Sequence, residues 1–153
     1  MFRISRRLDY GLQLMAALAA NSDFRPESTA SLAGKLEMPL PFLHQIAHTL
    51  MQAKLVKATP GPRGGLRINQ PAEKISILMI VEALEGPVAL TPCDDCPETC
   101  VRQSCCTTLL VWNDLQERIG NYLGSTTISD LLNQGNSTEN YAVSIAGMIA
   151  TNK

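Results

Sequence analysis

The sequence lacks an uninterrupted apolar run long enough to cross a membrane. Its longest apolar stretches are residues 12–18, interrupted by Gln13, and residues 75–83, interrupted by Ser76 and Glu82. A spanning helix needs about 20 predominantly apolar residues, so no membrane partner is expected. The amino terminus also lacks an apolar stretch that ends at a small-residue cleavage site, and we expect a cytoplasmic protein.

Motifs for catalysis are also lacking. The glycine-rich stretch at residues 59–65 has no Walker-type lysine and no helix directly after it, which disfavours a nucleotide-binding loop. No catalytic acid–base pair is evident. A chain of 153 residues that is 45% hydrophobic can build the core of one small domain with an appendage, but not a large multidomain enzyme. We therefore expect neither an enzyme nor a small-molecule substrate.

Cysteine is absent from residues 1–92 and 107–153, and all five cysteines lie within fourteen residues. They are Cys93, Cys96, Cys100, Cys105 and Cys106. An odd number in a reducing compartment argues against a disulfide framework. Thiols at this density indicate a site for a soft metal or an iron-sulfur cluster. Burial as small hydrophobic side chains is disfavoured, because charged residues such as Asp94, Asp95 and Arg102 share the segment.

Basic residues are scarce in the second half of the chain. Residues 1–70 hold nine Lys and Arg against four acids, whereas residues 71–153 hold four against ten. This asymmetry suggests a first half that meets a polyanion, although a mildly basic surface can also serve solubility alone.

Helical spacing of apolar residues predicts three helices in the basic half. The first covers about residues 5–20 with Ser5 as its N-cap, the second covers residues 29–37 after Ser28 or Thr29, and the third runs from Pro41 to about Ala53. Two short helices joined by a tight turn predict a helix-turn-helix.

The third helix separates into an apolar face and a polar face without acids. The apolar face holds Leu43, Ile46, Ala47 and Leu50, and the polar face holds Pro41, His44, Gln45, His48 and Gln52. Amide and imidazole groups suit the edges of DNA bases, although an ordinary solvated face remains an alternative. His44 and His48 have a spacing that can grip zinc, but no third ligand lies nearby in sequence.

Residues 55–58 and 66–68 are predicted to form a β-hairpin with a glycine- and proline-rich tip. Arg63 projects from this tip, where it could enter a minor groove or touch a phosphate. The fold class is therefore mainly α with a small β-hairpin wing, a winged helix-turn-helix DNA-binding domain over residues 1–70.

The acidic half is predicted to hold a fourth helix over residues 75–85, the cysteine segment, and a long helix from residue 107 or 108 to Leu123 that ends at Gly124. Its stripe of Leu109, Trp112, Leu115, Ile119 and Leu123 favours a dimer contact over packing within one subunit. One or two further helical turns cover residues 127–132. Residues 71–132 thus form a cluster-binding and dimerisation unit, and residues 133–153 a polar, flexible tail, with a helix at 141–150 as an option.

Four sequence features together resemble the winged-helix iron-sulfur transcriptional regulators of the IscR/NsrR family. They are Arg3-Ile-Ser with Asp9-Tyr10, the stretch from Pro39 to Ile46, Leu55-Val followed by residues 61–65, and three spaced cysteines before a helix with Trp112-Asn-Asp-Leu115. The resemblance covers about residues 1–132.

The resemblance implies a homodimeric, DNA-binding repressor that holds an iron-sulfur cluster before its dimerisation helix. Matching the family's cysteines indicates Cys93, Cys100 and Cys106 as ligands, with Cys96 and Cys105 as alternates. The histidine used by IscR-like members is Leu109 here, whereas the aspartate that NsrR-like members supply from the partner subunit matches Asp9. A 4Fe-4S cluster is favoured over a 2Fe-2S cluster. Asp9 could instead be only a first-turn acid that complements the helix dipole.

The resemblance also implies a recognition helix in the major groove and a wing beside it on operator DNA. The candidate DNA-binding residues are Pro41, Phe42, His44, Gln45, His48, Arg63 and Arg67. His44 replaces a glutamate that restricts the target of IscR, and Pro60 replaces the wing arginine, so the operator sequence is not carried over. The signal could be redox state, nitric oxide or iron-sulfur supply. Alternatives are a zinc- or thiol-based winged-helix regulator and an iron-sulfur electron-transfer protein.

Overall fold

The computed structural model describes residues 3–21, 24–91 and 106–135. In chain order it contains α1 (Arg6–Ala19), α2 (Thr29–Lys35), α3 (Leu40–Gln52), β1 (Val56–Thr59), β2 (Gly65–Ile68), a 3-10 turn (Ala72–Lys74), α4 (Ile77–Glu85), α5 (Leu109–Ser125) and α6 (Ile128–Gly135). The predicted fold class, mainly helical with a two-stranded hairpin, is confirmed.

Helix α1 begins where the sequence predicts a cap. The Ser5 hydroxyl accepts a hydrogen bond from the Leu8 backbone N–H at 3.0 Å, which satisfies one of the donors that a helix start leaves open. Leu8, Leu14, Met15 and Leu18 then form the buried face of α1. Gly11 on this face lies so close to Leu84 of α4 that a Cβ atom would overlap that side chain. The two helices therefore approach closely at Gly11, where a larger residue would require the Leu84 side chain to move.

Helices α2 and α3 form the helix-turn-helix. Ser28 caps α2 through its hydroxyl, which accepts from the Ser31 N–H at 3.2 Å. The turn passes through Glu37 in a left-handed conformation, at a φ of 49°, and then buries Met38. Helix α3 begins at Leu40, one residue before the predicted start, and Pro41 occupies its first turn, where a missing N–H costs nothing.

Strands β1 and β2 pair antiparallel, with Val56 opposite Ile68 and Thr59 opposite Gly65. Val56, Leu66 and Ile68 are buried against the helices. Strand β1 lies one residue later than predicted, β2 begins one residue earlier, and residues 60–64 form the tip. The hairpin is thus anchored to the core by one face and exposes the other.

Two short extended segments pair with each other and displace the predicted start of α4. Ile77 N–H donates to the Thr126 carbonyl at 2.8 Å, and Ile128 N–H donates to the Ile75 carbonyl at 2.9 Å. Residues 75–76 therefore pair with residues 126–128, and α4 begins at Ile77 rather than at Ile75. Helix α5 passes through Gly124 to Ser125, and α6 continues to Gly135, beyond the one or two turns expected.

Within the described ranges, no helix combines the length and the apolar character that a membrane crossing requires.

Candidate functional site

Helix α3 presents a polar, exposed face on the side opposite the core. Leu43, Ile46, Ala47 and Leu50 are buried. The predicted DNA-reading residues Pro41, His44, Gln45 and His48 are all exposed. The helix carries no acidic residue, so nothing on it repels the phosphates of an approaching DNA strand.

Phe42 differs from the other predicted reading residues because it packs against the protein. Its ring lies 5.6 Å from the Tyr10 ring of α1 in an edge-to-face arrangement at 76°. The side chain is half-buried at the margin of the core. Aromatic pairs of this geometry add stability beyond the area that they bury, so Phe42 joins α1 to the start of α3.

The two predicted DNA-binding arginines of the wing differ in position and in exposure. Arg63 is exposed on the tip, and Arg67 is half-buried on β2. Lys57 is absent from the predicted set, although it lies directly opposite Arg67 in the strand register. Alternation along each strand could have singled it out, because Val56 and Leu66 point to the core and their neighbours must point outward.

The base of the wing is joined to the segment before α2 by a backbone pair. Glu27 N–H donates to the Leu66 carbonyl at 2.9 Å, and Leu66 N–H donates to the Glu27 carbonyl at 2.8 Å. Gly65 lies beside this pair, and a Cβ atom there would overlap the Glu27 backbone. The wing is therefore tied to the helix-turn-helix at a position that requires glycine.

The Glu27 side chain reinforces the same junction. Its carboxylate forms an ion pair with Lys35 and accepts hydrogen bonds from the Ser31 hydroxyl at 2.8 Å and the Asn21 amide at 3.2 Å. The hydrogen bond from Lys35, with those from Ser31 and Asn21, lowers the pKa of Glu27 from its ordinary value of 4.5, although partial burial opposes this. Glu27 thus connects both ends of α2 to the wing.

The candidate cluster ligands Cys93, Cys96, Cys100 and Cys105 lie outside the described residues. Cys106 is half-buried just before α5, with its Sγ 3.5 Å from the Thr108 hydroxyl. Leu109, in the place of the family histidine, is half-buried as the first residue of α5 and has no donor atom for iron.

The residues that flank the cysteine segment, residues 93–106, lie next to α5 on both sides. Leu90 N–H donates to the Gln116 side-chain oxygen of α5 at 3.1 Å, and Cys106 leads directly into that helix. Seven residues separate Leu109, where α5 begins, from Gln116, which corresponds to about 10 Å at 1.5 Å per helical residue. Both ends of the segment are therefore held close together.

Asp9, the candidate fourth ligand, is exposed in the first turn of α1. Its carboxylate accepts one hydrogen bond, from the Gln13 amide at 3.0 Å. At the start of the same helix, the Ser5 hydroxyl donates to the carboxylate of Glu85 at 2.8 Å. Because Glu85 is the last residue of α4, α1 is linked to the end of the element that leads into the cysteine segment. Residues 3–21, 24–91 and 106–135 by themselves contain no group of three metal-ligating side chains.

Helix α5 leaves its apolar stripe incompletely covered. None of its residues is buried, and Leu109, Trp112, Leu115, Ile119 and Leu123 are all half-buried. Val111 and Tyr122, on the side of the stripe away from Leu109, are 62% and 64% exposed. The exposed apolar side of α5 is therefore available for contact with the same helix of a second subunit.

A helix-turn-helix with an exposed, acid-free third helix and a basic hairpin beside it defines a winged-helix, DNA-binding transcriptional regulator. Residues 4–134 match the family model of Rrf2, described as iron-dependent transcriptional regulators. The chain therefore belongs to the Rrf2 family, and it is a regulator rather than an enzyme.

Relatives support this assignment in sequence and in structure. IscR of Photobacterium profundum is 28% identical over 137 residues, which cover 90% of this chain and 79% of that protein. CymR, the global cysteine regulator of B. subtilis, superposes with a TM-score of 0.73 at 28% identity and covers 88% of this chain and 98% of its own. T. potens IscR gives 0.68 at 28% identity, with 88% of both chains covered.

Proposed function

We propose that the protein is a homodimeric repressor whose affinity for its operator is controlled by an iron-sulfur cluster. Cys93, Cys100 and Cys106 would hold the cluster, and Asp9 of the partner subunit would be the fourth ligand. Cys96 and Cys105 are alternates. Residues 1–70 would read DNA, residues 71–132 would sense and dimerise, and residues 133–153 would form a polar tail.

The observation that carries this proposal is the anchoring of both ends of the cysteine segment on α5. A segment of fourteen residues with five thiols between two nearby anchors can bring several sulfur atoms to one place at a modest entropic cost. Thiolates are the usual ligands of iron-sulfur clusters. The one described thiol, Cys106, is half-buried and adjoins a helix start, which fits a ligand at the edge of such a site.

The exposure of Asp9 favours its use by the partner subunit. The carboxylate is exposed, and among the described residues it accepts a hydrogen bond from the neighbouring Gln13, an exposed residue of the same helix. A carboxylate would give the cluster one hard and labile ligand beside three thiolates. That ligand would leave one iron open to a diatomic gas or to an oxidant.

Two contacts of α1 connect the proposed ligand to the DNA-reading surface. Ser5 binds Glu85 at the end of α4, and Tyr10 packs on Phe42 at the start of α3. A cluster bound between the subunits would hold α1 and the cysteine segment in one arrangement, and its loss would release both. The presence or absence of the cluster would then set the relative orientation of the two winged-helix domains in the dimer, and this orientation would determine the affinity for DNA.

The proposed cofactor is tested by anaerobic purification followed by absorption spectroscopy and by iron and sulfide analysis. We expect a brown protein that contains iron and acid-labile sulfide. Cys106→Ala should abolish the visible absorption, whereas Cys96→Ala, the matched control in the same segment, should retain it. A colourless protein with one equivalent of zinc, or with neither metal, would instead support a zinc- or thiol-based regulator.

The role of Asp9 is tested separately. Asp9→Ala should change the spectrum of the cluster or accelerate its loss in air. Gln13→Ala removes the hydrogen bond to Asp9 but keeps the carboxylate, so its cluster should resemble that of the unaltered protein. If the cluster is lost at the same rate in Asp9→Ala and in the unaltered protein, Asp9 is not a ligand. Its role is then that of a first-turn acid that complements the α1 dipole.

The proposed reading residues are tested with duplex DNA from upstream of the protein's own coding region and with a scrambled duplex. Gln45→Ala should weaken binding to the first duplex by about 1–3 kcal/mol and leave the second unchanged, as expected for a contact to a base edge. Arg63→Ala, if it removes a phosphate contact, should weaken both equally. Equal losses for Gln45→Ala on both duplexes would contradict its assignment to a base.

A further inference from the structure

Two basic side chains lie opposite each other on the outer face of the wing. Lys57 of β1 and Arg67 of β2 are direct partners in the antiparallel register. Partners project to the same side of a sheet, and their Cβ atoms are about 4.5–5.5 Å apart. The other side of the hairpin is buried through Val56, Leu66 and Ile68. Lys57 and Arg67 therefore stand next to each other on the solvent side.

This pairing is unfavourable for the protein alone. Like charges directly opposite each other destabilise a hairpin. Within the part of the chain that the structure describes, the ion pairs join Lys35 to Glu27 and Arg118 to Asp114, so neither wing cation has an acid partner. Glu27, which pairs with β2 through its backbone, has its carboxylate occupied by Lys35. The repulsion between Lys57 and Arg67 is thus uncompensated.

The surroundings of the pair suit an extended polyanion. Thr59 continues the same face toward the tip, where its partner Gly65 lies against the Glu27 backbone. Arg63 is exposed beyond them. Strand β1 also packs against α3, so the wing lies beside the helix proposed to read DNA. Duplex DNA offers phosphates at regular intervals along each strand, and two adjacent cations match such an array better than they match a single anion.

We propose that Lys57 and Arg67 together grip backbone phosphates of the bound DNA duplex, and that the hairpin keeps this repulsive pair for DNA affinity at the expense of its own stability. The proposal rests on DNA binding by the winged helix and is independent of the cluster. It adds Lys57 to the interface and gives Arg67 a phosphate rather than a base as its target.

The test measures DNA binding and stability in the same variants, Lys57→Thr, Arg67→Thr and the double variant. Threonine keeps strand propensity and removes the charge. Binding is measured by fluorescence anisotropy from 50 to 300 mM KCl, with the upstream duplex and with a scrambled duplex of equal length. Melting of the protein without DNA is followed by the fluorescence of Trp112, the single tryptophan of the chain.

Each single variant removes one phosphate contact from each subunit of the proposed dimer. We therefore expect the slope of log K against log salt to fall by about 1.8, and binding to weaken about sixtyfold at 0.1 M salt on both duplexes. The double variant should lose about twice this slope. Each single variant should also melt about 1–4 °C higher, because the repulsion is removed. Weaker DNA binding together with a higher melting temperature in the same variant is the result that the proposal predicts.

Lys74→Thr, which removes an exposed cation from the turn after the hairpin, is the matched control and should keep the slope. Unchanged slopes in the wing variants would overturn the proposal, as would a discrimination between the two duplexes that changes with Arg67→Thr. The measurements are made on protein with and without cofactor. A colourless protein that still shows the slope change would contradict the cluster while supporting the phosphate grip.

Discussion

The Arg7 guanidinium of α1 donates a hydrogen bond from Nη2 to the Thr49 hydroxyl of α3 at 3.0 Å. The same hydroxyl donates to the Gln45 carbonyl one turn earlier in α3, at 3.1 Å. Arg7 thus holds the second half of α3, and the Tyr10–Phe42 ring contact holds its first turn. Helix α1 therefore positions the proposed reading helix at both ends.

Thr49→Val should weaken DNA binding about fivefold, because it removes the acceptor of a hydrogen bond from a charged group while it keeps the shape and all charges. The slope of affinity against salt should not change, since no phosphate contact is lost. Anisotropy titrations at several salt concentrations measure both quantities.

Arg6→Ala provides a control for Arg7→Ala, because both remove one exposed cation from the first turn of α1. Arg7→Ala combined with Thr49→Val should cost no more in affinity than Arg7→Ala alone, since the two residues share one contact. Fully additive losses would show that they act on DNA independently.

Glu27 should make the stability of the protein sensitive to acid. Its pKa is lowered in the folded state by the hydrogen bond from Lys35 and by those from Ser31 and Asn21. A carboxyl group with a lowered folded pKa contributes stability above its ordinary value of 4.5, and this contribution is lost as the pH falls through the folded value.

Glu27→Gln should therefore melt about 2–4 °C lower than the unaltered protein at pH 7. The difference should shrink as the pH falls below about 4.5. Thermal melts between pH 3 and pH 7 check this. Glu37→Gln, which removes an exposed acid from the turn of the helix-turn-helix, is the control, and a constant difference across this pH range would contradict the assignment.

Val111→Lys should convert the proposed dimer to a monomer, or weaken it at least 100-fold, because it places a charge within the exposed apolar side of α5. Analytical ultracentrifugation measures the change. Asn121→Lys adds the same charge to an exposed position about 80° away around the helix and should leave the association intact. A dimer of unchanged affinity in Val111→Lys would place the interface elsewhere.

Gly65→Ala should lower stability by about 1–3 kcal/mol, because the added methyl group would displace the Glu27 backbone from its pairing with Leu66. DNA affinity should fall as well, since the wing would lose its attachment to the helix-turn-helix. Urea denaturation and anisotropy measure the two effects. Gly34→Ala, which meets no neighbouring atom in α2, should be neutral or stabilising.

Much of the local structure follows from the sequence because its causes are local. Ser5 caps α1 as predicted, Gly86 ends α4 in a conformation that favours glycine, and the apolar and polar faces of α3 separate as their spacing indicates. The predicted start of α4 was wrong because distant backbone segments pair there. Helix α4 begins at Ile77 rather than at Ile75 because residues 75–76 pair with residues 126–128. A local sequence pattern cannot predict such a long-range contact.

The candidate site divides in the same way. The exposure of His44, Gln45 and His48 could be predicted from helical periodicity alone. The ring contact of Phe42 with Tyr10 and the opposition of Lys57 to Arg67 could not, because each depends on how two elements meet.

The sequence by itself determined the order of the elements, the acid-free face of α3, the concentration of cysteines in one segment and the basic character of the first half. These properties arise from residue type and spacing, which act over a few residues. Only the tertiary structure decided that Arg7 reaches Thr49 across 42 residues, that Ser5 reaches Glu85 across 80, and that Glu27 joins the wing to α2. Such contacts are selected by the packing of the whole core, because each becomes favourable only after the buried faces of the helices and the hairpin have come together.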